Sequence, residues 1–136
     1  MPESPTLPPA VIVEDNESVA RVFKAAVERA GFATTILADG QTAIEQLAAL
    51  APRLIVLDLH LPFRSGRDVL HYIRQTPSLV GSWVILATAD VVAARELERD
   101  VDYVLVKPCG FIELNDLAKN LRARLDASVA DEGTRR

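Results

Sequence analysis

Ala10-Val11-Ile12-Val13-Glu14-Asp15-Asn16 runs four apolar residues straight into two adjacent acids. A short continuous apolar run suits a strand buried on both faces, as in a parallel sheet. A buried carboxylate is costly unless paired, so two acids on the lip of such a strand imply a positive partner. The pattern recurs down the chain. Leu54–Leu57 is a second apolar run and ends in Asp58, Trp83–Ala87 ends at Thr88, and Tyr103–Val106 ends at Lys107-Pro108.

Helical periods fill the intervals. Asn16 can cap a helix whose apolar positions Val19, Val22, Phe23, Ala26, Val27 and Ala30 form one stripe, stopped by Gly31. Ala33–Ala38 reads as the second strand, closed by an Asp39-Gly40 turn. Thr42–Leu50 reads as a helix with Ile44, Leu47 and Ala48 inward, and a loop with Pro62 and Gly66 leads to a helix containing Val69, Leu70 and Ile73. A brief helix over 92–99 and a last amphipathic helix with Phe111, Ile112, Leu114, Leu117, Leu121 and Leu125 complete the series. Strands alternating with helices imply an α/β fold, a parallel sheet covered on both faces. Ligands of such sheets collect at the carboxyl ends of the strands.

Size and composition set the bounds. The chain has 136 residues, 49% hydrophobic and 25% charged, which suits one globular domain. We expect a domain over 10–126, a proline-rich disordered arm over 1–9 and a flexible tail over 127–136. A net charge of −4 argues against direct nucleic-acid binding, which needs a basic patch. No apolar run is long enough to span a membrane, and MPESPTLPPA lacks the features of a secretory signal. A lone cysteine, Cys109, rules out an internal disulfide and fits a cytoplasmic setting.

Glu14, Asp15, Asp58, Thr88 and Lys107 thus meet at one sheet edge. Singly, each has a plain structural explanation: an acid after a strand is usually a helix cap, and a lysine before proline is usually solvated. Jointly those explanations fail, because all five occupy equivalent positions of successive elements. At ~4 Å and an effective dielectric near 20, two like charges repel by about 4 kcal/mol. A hard cation relieves that repulsion, and carboxylate oxygens suit Mg²⁺. Metal, carboxylate nucleophile, hydroxyl and ammonium together suit phosphoryl transfer.

VIVEDN, LIVLDLHLPFRSG, ILATAD and VLVKP, in that order over residues 10–126, resemble the signature segments of the receiver domain of two-component response regulators. The resemblance implies a flavodoxin-like three-layer fold with five parallel strands in the order 2-1-3-4-5. It makes Asp58 the phosphoacceptor, followed by Pro62 and Gly66 in the family's D-x-x-x-P-x-x-x-G loop. Glu14, Asp15, Asp58 and the backbone carbonyl of His60 would hold Mg²⁺, and Thr88 and Lys107 would bind the phosphoryl group. Pro108 would follow Lys107 through a cis peptide bond. The implied role is a signalling switch rather than an enzyme. It would be loaded by a sensor histidine kinase or histidine phosphotransfer protein and read by a downstream protein, with a homodimer through the last helix as a further option.

Departures from the family pattern are also visible. The family's aromatic residue three before the lysine is here Val104. Tyr103, the candidate switch aromatic, stands one place off, and strand alternation puts the two on opposite faces. The interval from Thr88 to Lys107 is a few residues short, which predicts a short or partly unwound fourth helix. Cys109 reads as a small buried thiol, His71 as an exposed helix residue, and His60 as a loop residue bordering the site. The short stretch after Leu125 favours a stand-alone receiver, although a receiver cut from a longer protein has the same pattern. Two rivals stand beside the switch: a constitutive interaction module that no longer switches, and an aspartyl phosphatase. The phosphatase would need a general acid where His60 stands.

Overall fold

The computed structural model describes the backbone of residues 6–134 and the side chains of residues 6–128. Residues 1–5 of the expected arm lie outside the described residues. Eleven elements follow in order: β1 (Pro9–Val13), α1 (Glu17–Arg29), β2 (Ala33–Leu37), α2 (Gly40–Leu50), β3 (Leu54–Leu57), α3 (Gly66–Gln75), a 3-10 turn (Pro77–Leu79), β4 (Trp83–Thr88), α4 (Val91–Leu97), β5 (Tyr103–Val106) and α5 (Phe111–Thr134). The five strands form one parallel sheet in the order β2-β1-β3-β4-β5.

The apolar runs of β1, β3 and β4 became strands because both of their faces are covered, whereas β5 at the sheet edge is only half-buried. Val11, Val13, Ile55, Leu57, Val84 and Leu86 point to a layer formed with α2, α3 and α4. Ala10, Ile12, Leu54, Val56, Ile85 and Ala87 point to a layer formed with α1 and α5. The helix starts are fixed by side-chain caps: Asn16 accepts from the Val19 amide, Asp39 from Thr42, Ser65 from Asp68 and Asp90 from Ala93.

Several boundaries and faces differ from expectation. Pro9, assigned to the arm, opens β1, where a first strand residue needs no ladder donor. Asp39-Gly40 is a cap and first turn rather than a separate loop, so α2 begins two residues early. Its innermost residues are Ala43 and Leu47, with Ile44 half-buried. In α1, Val22 is exposed and Ala20 takes its place in the core. Ile112 is exposed because Leu114, Ala118 and Leu121 carry the buried line of α5. That helix continues to Thr134, through residues 127–134 of the expected tail, and residues 135–136 lie outside the described residues. Ala127, Ala130 and Glu132 are good helix formers. The fourth helix is short, as expected, at seven residues.

The topology fixes where a site can form. The strand order reverses between β1 and β3, and Val13 pairs with Leu57 across that junction. The next residue on each strand is an acid, so Glu14 and Asp58 emerge side by side at the switch point.

Candidate functional site

The backbone carries the acids to their places before any side chain acts. The Asp58 amide donates to the Val13 carbonyl (3.1 Å) and the Glu14 amide to the Leu37 carbonyl (3.1 Å), which extends both ladders one step past the strands. Lys107 is delivered the same way, its amide donating to the Thr88 carbonyl at 2.9 Å. Ligand oxygens of Glu14, Asp15 and Asp58 all lie within 4.8 Å of one another. Glu14 and Asp58 are buried, whereas Asp15 is exposed.

The ammonium of Lys107 sits between the two buried acids. It donates to Glu14 Oε1 and stands 3.5 Å from Asp58 Oδ2. The resemblance paired Lys107 with Asp58; the tighter contact is with Glu14, the more deeply buried carboxylate at 2% exposure. Burial pushes the Glu14 carboxyl above the usual carboxylate range, and the nearby Asp58 charge adds to it. Hydrogen bonds from Lys107 and from the Asn16 amide act the other way. Burial also works against the Lys107 ammonium, but its bond to Glu14 and the charge of Asp58 outweigh it and raise its pKa. Asp58 Oδ1 accepts from the Leu59 amide at 2.8 Å, so its two oxygens have different surroundings.

Thr88 ends β4 fully buried, and its Oγ1 accepts from the Asp90 amide at 3.1 Å. The Lys107-Pro108 bond is cis, as the resemblance implied. Gly66 is set by space: a Cβ there would stand 2.1 Å from the Asp58 carbonyl oxygen, and the Gly66 amide donates to the Leu59 carbonyl (2.8 Å). The Pro62 carbonyl accepts from the Gly40 amide at 3.2 Å, so the turn after β2 braces the loop after β3.

Tyr103 lies away from the site. It packs with the α1–α5 layer and its hydroxyl accepts from Arg124 (2.8 Å), while Val104 packs on the α2–α4 layer. Cys109 is half-buried rather than buried, and desolvation raises its thiol pKa. His71 is exposed, as expected.

Three contacts escaped sequence reasoning. The His60 imidazole lies 3.4 Å from Asp90 Oδ2, linking the loop after β3 to the cap of α4. Asp90 left a readable signal, an acid just before an apolar helix start. Asp102 supports β4 by accepting from the Val84 amide (2.7 Å), and only its position before a strand hinted at this. The Phe23 ring, 5.9 Å from the Lys107 ammonium, gave no signal beyond its place in a helical stripe.

Residues 10–119 match the response regulator receiver domain, and the chain belongs to that family. It is 36% identical over 119 residues to the uncharacterized transcriptional regulatory protein YkoG of Bacillus subtilis, covering 85% of this chain and 50% of that protein. It is 30% identical over 115 residues to the DNA-binding response regulator MtrA of Mycobacterium tuberculosis, covering 85% and 49%. The chain thus spans about half the length of these two curated relatives. The signal receiver domain of a Luxo repressor protein from Vibrio parahaemolyticus superposes with a TM-score of 0.75 at 30% identity, over 90% of this chain and 97% of that one. The receiver domain of the sensor histidine kinase PA1611 from Pseudomonas aeruginosa, described with a magnesium ion coordinated in its active-site cleft, gives 0.77 at 25% identity over 87% and 99%. The family assigns the domain to phosphorylation-based two-component signalling, a signalling module rather than a conventional enzyme. No helix among the described residues is long and apolar enough to cross a membrane.

Proposed function

We propose that this domain accepts a phosphoryl group on Asp58 from a phosphohistidine of a sensor histidine kinase or histidine phosphotransfer protein. The product then alters binding to a downstream protein in the cytoplasm. The observation that carries the reading is the meeting of three carboxylates within 4.8 Å with the Lys107 ammonium at the strand ends. Hard oxygen donors in that number suit Mg²⁺, so Glu14, Asp15, Asp58 and the His60 carbonyl would hold it. When bound, Mg²⁺ supplies compact positive charge beside the transferred oxygens.

The chain's own residues account for the rest. Asp58 is the nucleophile, fixed by the Leu59 amide and by the close approach of Gly66. As its oxygen bonds to phosphorus, the donor nitrogen–phosphorus bond breaks and the electron pair stays with the imidazole. Lys107 already stands 3.5 Å from the nucleophile and is placed to pair with the incoming charge. Thr88 would rotate its hydroxyl toward the phosphoryl oxygen, giving up the Asp90 amide and so loosening the start of α4. Water then cleaves the acyl phosphate and resets the domain.

Acetyl phosphate with Mg²⁺ should add one phosphoryl mass to the wild-type protein and none to Asp58→Asn. Labelling that persists in Asp58→Asn would move the acceptor elsewhere. A second reading, a constitutive interaction module, is favoured by one observation: no aromatic side chain occupies position 104, and Tyr103 is tied to Arg124 on the other face. Hydrogen exchange decides between them. Unchanged protection of α4 and β5 after phosphorylation supports the constitutive module.

A further inference from the structure

Lys107 must hold its ammonium at one point although its stem is long and flexible, with considerable rotamer entropy to lose. Its acidic partners do not fix that point alone. Glu14 and Asp58 are the carboxylates that the proposed reaction engages elsewhere, as metal ligand and nucleophile. A partner that stays constant must be neither an acid nor a ligand. Phe23 meets that need. Its ring is 1% exposed, anchored in the α1–α5 layer, and faces the ammonium at 5.9 Å from its centroid. The face of an aromatic ring attracts a cation within about 6 Å, more strongly where water is excluded. The Lys107 side chain is only 20% exposed.

We propose that Phe23 is a positioning residue for phosphoryl transfer: its ring holds the Lys107 ammonium beside Asp58. The proposal rests on the reading of Asp58 as phosphoacceptor and Lys107 as its clamp. Glu14 binds Lys107 through charge that a metal would share, whereas the ring attracts the ammonium whatever the state of the acids. The contact also links α1 to the reaction, since Phe23 sits on the helix that follows Glu14 and Asp15.

The test is the rate of Asp58 phosphorylation by acetyl phosphate with Mg²⁺, read by intact mass. The proteins are wild type, Phe23→Leu, Lys107→Met and the double variant, with thermal unfolding confirming that each is folded. Phe23→Leu should slow phosphorylation about two- to five-fold, the worth of a modest cation–ring contact. It should add no further loss to Lys107→Met, because the ring then has no ammonium to hold. Ring-fluorinated phenylalanines at position 23 should slow the reaction in step with fluorine number, since fluorine drains the ring face at nearly constant shape. An undiminished rate in Phe23→Leu, an equal loss in both Lys107 backgrounds, or a flat fluorine series overturns the positioning role while leaving the phosphoacceptor reading intact. A wild type that takes up no phosphoryl group, or a Lys107→Met variant as fast as wild type, overturns both.

Discussion

The two sides of the sheet are built differently. On one side α1 and α5 meet through large buried side chains, Phe23, Val27, Leu114 and Leu121. Polar ties reinforce that seam: the Asn115 amide donates to the Ala26 carbonyl (2.9 Å), Arg122 donates to the Gly31 carbonyl, and the Arg29 guanidinium lies 5.5 Å from the Phe111 ring centroid. On the other side α4 contributes two buried alanines, Ala93 and Ala94, and a half-buried Leu97. It is joined to its surroundings by Arg67–Glu96 (2.7 Å) and His60–Asp90 (3.4 Å), while Arg74 donates to the Asp100 carbonyl just beyond it (2.8 Å). A half-open groove of about 350 Å³, lined by Arg67, Leu70 and Arg74 of α3 and Leu97 of α4 among others, runs between those two helices. Apolar area sets the cost of separating helices, and exposed ion pairs add little. The first side is therefore a wall; on the other, α2 and α3 are anchored by Leu47, Leu70 and Ile73, and α4 alone can shift at low cost.

The largest effect should come from cutting into the wall. Leu121→Ala removes a fully buried side chain and should cost about 2–5 kcal/mol in urea unfolding, whereas Leu97→Ala should cost less than half as much. Equal losses would erase the contrast between the sides. Next comes the loop after β3. Gly66→Ala forces a Cβ into the Asp58 carbonyl and should cost about 1–3 kcal/mol together with most of the acetyl phosphate labelling. A variant that labels at the wild-type rate would show that the loop has slack.

At the mouth between the sides, the effect should reverse sign. The folded-state pKa of Glu14 is raised above 4.5, chiefly by burial. Its contribution to stability is therefore complete below pH 4.5 and is lost as pH rises through the folded value. Glu14→Gln should accordingly gain stability relative to wild type as pH climbs through that window. Thermal unfolding at stepped pH checks this, and a variant that loses stability relative to wild type as pH rises contradicts it. The smallest equilibrium effect belongs to the bridges. Arg67→Ala should change stability by no more than about 0.5 kcal/mol, while amide exchange in α4 quickens.

Most of the fold was legible because strand-forming runs end in residues that a sheet interior rejects. Val13-Glu14 and Leu57-Asp58 mark the strand ends by chemistry rather than propensity. Helix faces were less legible where two apolar residues stand together. Phe111-Ile112 and Val22-Phe23 each place one residue outward, and periodicity alone does not choose which. The gathering of the three acids and Lys107 at the strand ends was legible, but their pairing was not. Lys107–Glu14 spans 93 residues and depends on which carboxylate the fold buries deeper. His60–Asp90 joins two loops whose separation follows from strand order, not from anything near either residue.

The contact between the turn after β2 and the loop after β3 limits how this domain can be re-engineered. A Cβ at Gly40 would fall 1.8 Å from the Arg64 carbonyl oxygen, so the two segments fit only as a matched pair. A loop transplanted from another receiver to alter specificity around Asp58 must bring its own residue for position 40, or keep the backbone path of residues 62–64. Changes confined to side chains that point outward, such as Phe63 at 85% exposure, escape this restriction. The exchangeable unit is thus two segments distant in sequence rather than one loop.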